Sequence, residues 1–187
     1  MEKPTPRPVP MYPGELTDEN ISAIFEGAGD FNRRVITCSG HTVYAYSIDG
    51  LVSGADISEY VFQPIMEGLQ ADTMGQLYEQ ALYSNVYNAV AGECKDLDTA
   101  AMRLVNGFCV VLFEGAGAVA YEVKTGEKRG LSAPEVENTV KGAKDAFVET
   151  IRSNTSYVRR HLRSPDLRLY ETQVGRRTLT NVCVVWL

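Results

Sequence analysis

Metal-site and redox motifs are scarce in this chain of 187 residues. Its four cysteines, Cys38, Cys94, Cys109 and Cys183, form no C-x-x-C pair, and three lie in apolar, strand-like runs. They read as reduced core residues more readily than as disulfides. The two histidines, His41 and His161, are far apart and have no cysteine or carboxylate neighbours at ligand spacing, which argues against a zinc site. No G-x-G-x-x-G or G-x-x-x-x-G-K-S/T sequence is present, so a nucleotide site has no motif to rest on. No G-x-S-x-G elbow occurs either, and two unrelated histidines give little from which to build a triad. The reading is therefore of a chain with no catalytic residues, no metal and no cofactor.

Long apolar runs are also missing. The longest, Leu104–Phe113 and Thr178–Leu187, fall well short of the roughly 20 residues that a membrane-spanning helix needs. With no basic-then-apolar leader at its start, the chain is expected to be cytosolic. A hydrophobic fraction of 44% and a charged fraction of 22% predict a packed core.

Charge is unevenly placed within the net −6. Residues 1–140 carry nine basic and twenty acidic side chains, whereas residues 141–177 carry nine basic and four acidic. Such asymmetry points to two modules or to an anionic partner for the basic part. An acidic chain with Tyr157 as the only aromatic beside the basic ridge argues against nucleic acid.

The pattern along the chain predicts an α/β (α+β) protein made of two small mixed modules. Residues 1–16 hold five of the eight prolines and predict an extended arm outside any core. Residues 17–130 form the first module. A short helix is signalled from Thr17, then two strands, Val35–Cys38 and Thr42–Ile48, around Ser39-Gly40. Asp56-Ile57-Ser58-Glu59 has the form of a capping box for a helix that Pro64 should bend. Further helices are expected over Thr73–Tyr83 and Asp98–Val105, a weaker strand over Asn85–Ala91, and a second hairpin over Phe108–Phe113 and Ala118–Lys124.

Residues 131–187 comprise a linker at Leu131–Pro134 and half of a second module. A helix is predicted over Gly142–Arg163, with Phe147, Ile151, Thr155, Val158 and Leu162 in one apolar stripe. Arg152, Arg159 and Arg163 fall on a separate ridge, where Asp145 and Glu149 are placed to pair locally. Strands Leu167–Val174 and Thr178–Leu187 follow. The sheet they begin is unfinished, which predicts recruitment of a second copy.

The segment from Lys141 onward resembles the corresponding stretch of GerA-type spore germinant receptor A subunits. The matching positions are Gly142, Phe147, Glu149, Ile151, Asn154, Val158, Arg159, Arg160, Leu162, Ser164, Pro165, Leu167, Val174, Gly175, Arg176, Thr180 and Val182. Upstream, Ile48-Asp49-Gly50-Leu51-Val52, Pro64-Ile65-Met66 and Pro134-Glu135-x-Glu137 look like the same family's pattern. The chain departs from that pattern at Lys141, Ala143, His161 and Trp186, where arginine, proline, arginine and tyrosine are usual.

The resemblance implies the N-terminal region of a receptor subunit on the cytoplasmic side of the bacterial spore inner membrane, followed by a membrane domain. It further implies a part in subunit assembly and signal transmission during nutrient-triggered germination. Asp49, Gly50, Gly142, Phe147, Glu149, Asn154, Pro165 and Gly175 are then structural positions of the family motif. Arg152, Arg159, Arg160, Arg163, Arg176 and Arg177 become the candidate contact surface for other receptor subunits or for anionic lipid headgroups. Two other readings stay open: a two-lobed small-molecule or ion sensor, and a free-standing, self-associating protein.

Overall fold

The computed structural model describes residues 10–83, 86, 88, 90–125 and 147–187. Thr17 opens the first helix, α1 (Asp18–Ile24), by accepting the Asn20 amide on its hydroxyl. Strands β1 (Phe31–Cys38) and β2 (His41–Ile48) pair antiparallel around a two-residue turn, with Cys38 opposite His41. The pairing starts four residues earlier than the apolar run alone indicates, because Phe31 stacks between Phe25 and Tyr46 at centroid distances of 4.8 and 5.9 Å.

The next helix, α2 (Gly54–Ile57), differs from the expected start at Asp56. Its cap is Ser53, whose hydroxyl accepts the Asp56 amide, so Asp56 lies in the first turn. Beyond it the backbone widens into π-type turns at Ser58–Phe62 and again at Pro64–Gly68. Pro64 has no amide to donate to the preceding turn, which favours this wider winding over a regular helix. Helix α3 (Met74–Tyr83) starts after Thr73, whose hydroxyl accepts the Gln76 amide. Strand β3 comprises Ala91–Cys94, later than the expected Asn85–Ala91. Helix α4 (Leu97–Val105) is capped by Asp96, which accepts the Thr99 amide at 2.7 Å.

Strands β4 (Phe108–Phe113) and β5 (Gly117–Glu122) complete an antiparallel sheet of order β1-β2-β4-β5-β3. All six side chains of β4 are buried. Helices cover both faces of the sheet, so this central strand has no solvent side and its sequence does not alternate. Tyr121 reaches α3 through its hydroxyl, which donates to the Ala81 carbonyl at 2.8 Å. Burial pushes the Cys109 thiol up to about 12, in keeping with an inert core cysteine. All four cysteines are free, and Cys38, Cys94 and Cys109 are buried.

After the undescribed stretch comes helix α5 (Ile151–His161), then strands β6 (Arg168–Val174) and β7 (Thr180–Trp186), paired as a separate two-stranded sheet. The expected linker at residues 131–134 and the helix start at Gly142 lie outside the described residues. At residues 147–150 the chain is not helical. Asn154 explains this: its carboxamide accepts the Val148 amide at 2.8 Å and donates to the Val148 carbonyl at 2.6 Å. Both backbone groups of Val148 are thereby held outside a helical ladder.

The end of the N-terminal arm is tied down, contrary to the expectation that the arm stays apart from the core. Tyr12 and Leu16 pack against the core. The Met11 and Tyr12 amides donate to the Asp98 carboxylate at 2.9 and 2.7 Å, and the Tyr12 hydroxyl donates to Asp166 at 3.0 Å. Burial and that bond to Asp166 push the Tyr12 hydroxyl up to about 12.

One electrostatic group sets an acid limit on this fold. Arg33 grips Asp18 with two bonds of 2.6 Å and Tyr46 adds a third at 2.8 Å; the Arg33 contact foremost holds the carboxyl below its ordinary 3.8. A depressed folded value contributes stability above the unfolded value, and that contribution is lost as pH falls through the folded one. Asp18→Asn should therefore lower stability above pH ~4 and leave a flatter acid limb, the difference between the two proteins shrinking as pH falls below the ordinary carboxylate range. Urea melts across that range check it, and parallel curves would exclude the contribution.

Candidate functional site

The candidate site forms where two turns of the first unit meet α5. Gly27–Asp30 leads into β1, and Asp49-Gly50 leaves β2; the Asp49 amide donates to the Asp30 carbonyl at 2.8 Å, which holds the turns side by side. Their two carboxylates face α5 and form an acidic seat.

Arg159 fills this seat. Its Nε and Nη2 donate to the two oxygens of Asp30 at 2.8 and 2.7 Å, and its Nη1 donates to the Ser164 carbonyl at 3.1 Å. The side chains are 0% and 12% exposed, so this is a buried, bidentate pair. Around it, Arg152 pairs with Asp49, Arg160 donates to the Thr125 hydroxyl at 3.0 Å, and Arg163 donates to the Asn106 side chain at 3.1 Å. Arg168, at the start of β6, donates to the Ile24 carbonyl at 3.1 Å, and the Leu169 carbonyl accepts the Gly29 amide at 2.8 Å.

Two glycines make this approach possible. A Cβ on Gly50 would overlap the Ser156 hydroxyl of α5, and its φ of +79° already favours glycine. A Cβ on Gly29 would lie 2.8 Å from the Leu169 carbonyl oxygen. Asp49 and Gly50, singled out as motif positions, thus belong to the seat itself.

The helix is oriented opposite to the expectation from its apolar stripe. Its buried residues are Ser156 and Arg159, while Phe147 and Leu162 are exposed and Ile151, Thr155 and Val158 are half-buried. The arginine ridge faces the first unit and the stripe does not. Arg159 therefore does not lie on an outer docking surface, and Arg152, Arg160 and Arg163 have partners within the chain. Arg176 and Arg177, in the turn between β6 and β7, are exposed.

The other motif positions are dispersed. Asn154 clasps Val148; Phe147 meets the edge of Tyr157 at 6.1 Å; Pro165 is buried; Glu149 is exposed; Gly175 sits in the hairpin turn at φ +86°. Gly142 lies outside the described residues. Asp30 was not among the expected site residues. A lone aspartate after Gly27-Ala28-Gly29 carries no spacing signal that would link it to an arginine 129 positions away. The expected local partner Glu149 is instead exposed, and Asp145 lies outside the described residues.

Among the described residues no group of three or more histidine, cysteine, aspartate or glutamate side chains is placed to hold a metal ion. No described helix is long and apolar enough to cross a membrane. A separate open groove of about 880 Å³ lies between the end of the π-type turns and α3, lined by Ser39, Met66, Gln70, Asp72, Gln76 and Tyr83 among others.

Comparison with known proteins places these features in context. A family model described as Bacillus/Clostridium GerA spore germination protein matches residues 19–187. Stage V sporulation protein AF of Bacillus subtilis is 28% identical over 159 residues, covering 84% of this chain and 32% of that protein. Spore germination protein B1 of the same organism is 25% identical over 142 residues, covering 75% of this chain and 29% of that protein. The crystal structure of the N-terminal domain of the A subunit of the Bacillus megaterium spore germinant receptor GerK3 superposes with a TM-score of 0.64 at 19% identity. That match covers 89% of this chain and 61% of the solved one, and it establishes a shared fold. The chain thus spans about a third of the length of these curated relatives.

The buried pair gives a direct test of the seat. Arg159→Met leaves Asp30 buried without its partner and should cost ~3–5 kcal/mol in urea unfolding. Arg159→Met combined with Asp30→Leu should recover much of that loss, because neither charge then remains buried alone. A loss under ~1 kcal/mol for Arg159→Met would show the pair to be dispensable.

Proposed function

The chain belongs to the GerA spore germination protein family of Bacillus and Clostridium, and from that placement we propose that it is the N-terminal region of a spore germinant receptor A subunit. In this reading it is not an enzyme; it mediates subunit assembly and passes a signal between its parts during nutrient-triggered germination. Its partners are the other receptor subunits, and its place is the cytoplasmic side of the spore inner membrane, beside anionic lipid headgroups.

The observation that carries the transmission part is the character of the seat. The contacts between α5–β6 and the first unit are largely arginine–carboxylate and arginine–carbonyl bonds. Polar contacts of this kind fix an orientation sharply and can exchange with another set, whereas a shared apolar core would fuse the two parts. Nutrient or partner binding elsewhere in the receptor would then act by favouring one arrangement of α5 over another.

The assembly part rests on the outward arginines. Arg176 and Arg177 project from the hairpin turn of an otherwise acidic chain and fit an acidic protein surface or anionic headgroups. Reversing both to glutamate in the native gene should slow nutrient-triggered germination several-fold and reduce co-purification of the other receptor subunits. Circular dichroism of the 187-residue chain should be unchanged, since both side chains are exposed. Germination at the normal rate with normal subunit recovery would refute the contact surface.

A further inference from the structure

Tyr12 touches both parts of the chain, and the path that brings it there is fixed at three points. Before α1, the Asn20 side chain donates to the Glu15 carbonyl at 2.8 Å, and Leu16 packs against the core. At Gly14 the backbone turns with φ +136°, where a Cβ would lie 3.3 Å from the Asn20 side chain and 3.5 Å from Leu97. The Met11 and Tyr12 amides then close on the two oxygens of Asp98, in the first turn of α4.

From this anchored position the Tyr12 hydroxyl reaches Asp166, 154 positions away. Asp166 lies in the turn between α5 and β6, on which the contacts of the seat converge. Its neighbour Ser164 accepts from Arg159, and Arg168 donates to the Ile24 carbonyl. At the other end of α4 its C-cap, Asn106, accepts from Arg163, so both ends of that helix are linked to the second part. The arm's link has the character of a contact that opens readily. It is one hydrogen bond to an exposed carboxylate, carried by a short stretch whose Met11 is itself exposed.

We propose that residues 11–17 are a strap that regulates how tightly α5 and β6–β7 are held on the first unit. While the Tyr12 amide sits on Asp98, its hydroxyl steadies the turn at Asp166. Withdrawal of the strap loosens the second part and leaves the five-stranded sheet intact. The Asp30–Arg159 pair sets the arrangement, and the strap sets how firmly it is kept. Because the two elements share a contact, each favours the docked state of the other, and the coupling runs in both directions. Release of the turn therefore loosens the arm at Asp98, just as release of the arm loosens the turn. The coupling uses only contacts within the chain and does not depend on the proposed receptor role.

Residue-resolved amide hydrogen exchange on the 187-residue chain tests the strap from both ends. Tyr12→Phe keeps the ring and its packing and loses only the hydroxyl bond. It should speed exchange across α5 and β6 about fivefold, the factor that one ordinary hydrogen bond carries, with β4 and β5 unchanged. Asp166→Ala should speed exchange of the Tyr12 amide by a similar factor, although that amide bonds to Asp98 and not to Asp166. Combining the two substitutions should add nothing to either alone. Unchanged exchange in α5 and β6 with Tyr12→Phe would overturn the proposal, and so would a Tyr12 amide indifferent to Asp166→Ala. Loss of protection that includes β4 would overturn it as well, since the arm would then support the first unit and not the docking.

Discussion

The arrangement of this chain depends on one buried ion pair. Asp30 and Arg159 are 129 positions apart, and their bidentate contact joins a five-stranded sheet unit to a helix and hairpin that share little apolar core with it. A buried guanidinium is costly unless its nitrogens find acceptors, and here each of the three donates once, two to Asp30 and one to the Ser164 carbonyl. Once Arg159 is seated, the orientation of α5 follows. Arg152 comes to Asp49, Ser156 passes over Gly50, and Arg160 reaches Thr125.

The same constraint explains why the apolar stripe of α5 does not face the first unit. A helix can present only one face to a given neighbour, and here the ion pair and the Gly50 contact take it. Of the stripe, Phe147 and Leu162 are exposed, while Ile151, Thr155 and Val158 are half-buried.

Much of the first unit was legible because its signals are local. The turn at Ser39-Gly40 and the runs Val35–Cys38, Thr42–Ile48 and Phe108–Phe113 each mark a strand or its end within a few residues. The second part was legible in its strands but not in its orientation. Helical spacing identifies a stripe, but it does not say which face is buried when a buried charge outweighs several half-buried apolar residues. The start of α5 was hidden for a related reason. Periodicity extends smoothly through Phe147, whereas Asn154 ends the helix through a side-chain bond that periodicity does not record. Asp49 and Gly50 were found through family resemblance, and only the approach of Ser156 shows why glycine is needed. Asp30 carries no such signal.

The central claim is that the Asp30–Arg159 pair, more than apolar packing, holds α5 and its hairpin on the first unit. Amide hydrogen exchange on Arg159→Lys tests it most directly, since lysine keeps the charge but loses the two-pronged geometry. The account predicts a marked loss of protection across α5, β6 and β7, with amides of β4 and β5 exchanging as before. Protection unchanged in α5 and the hairpin would contradict it, and so would a uniform loss that includes β4.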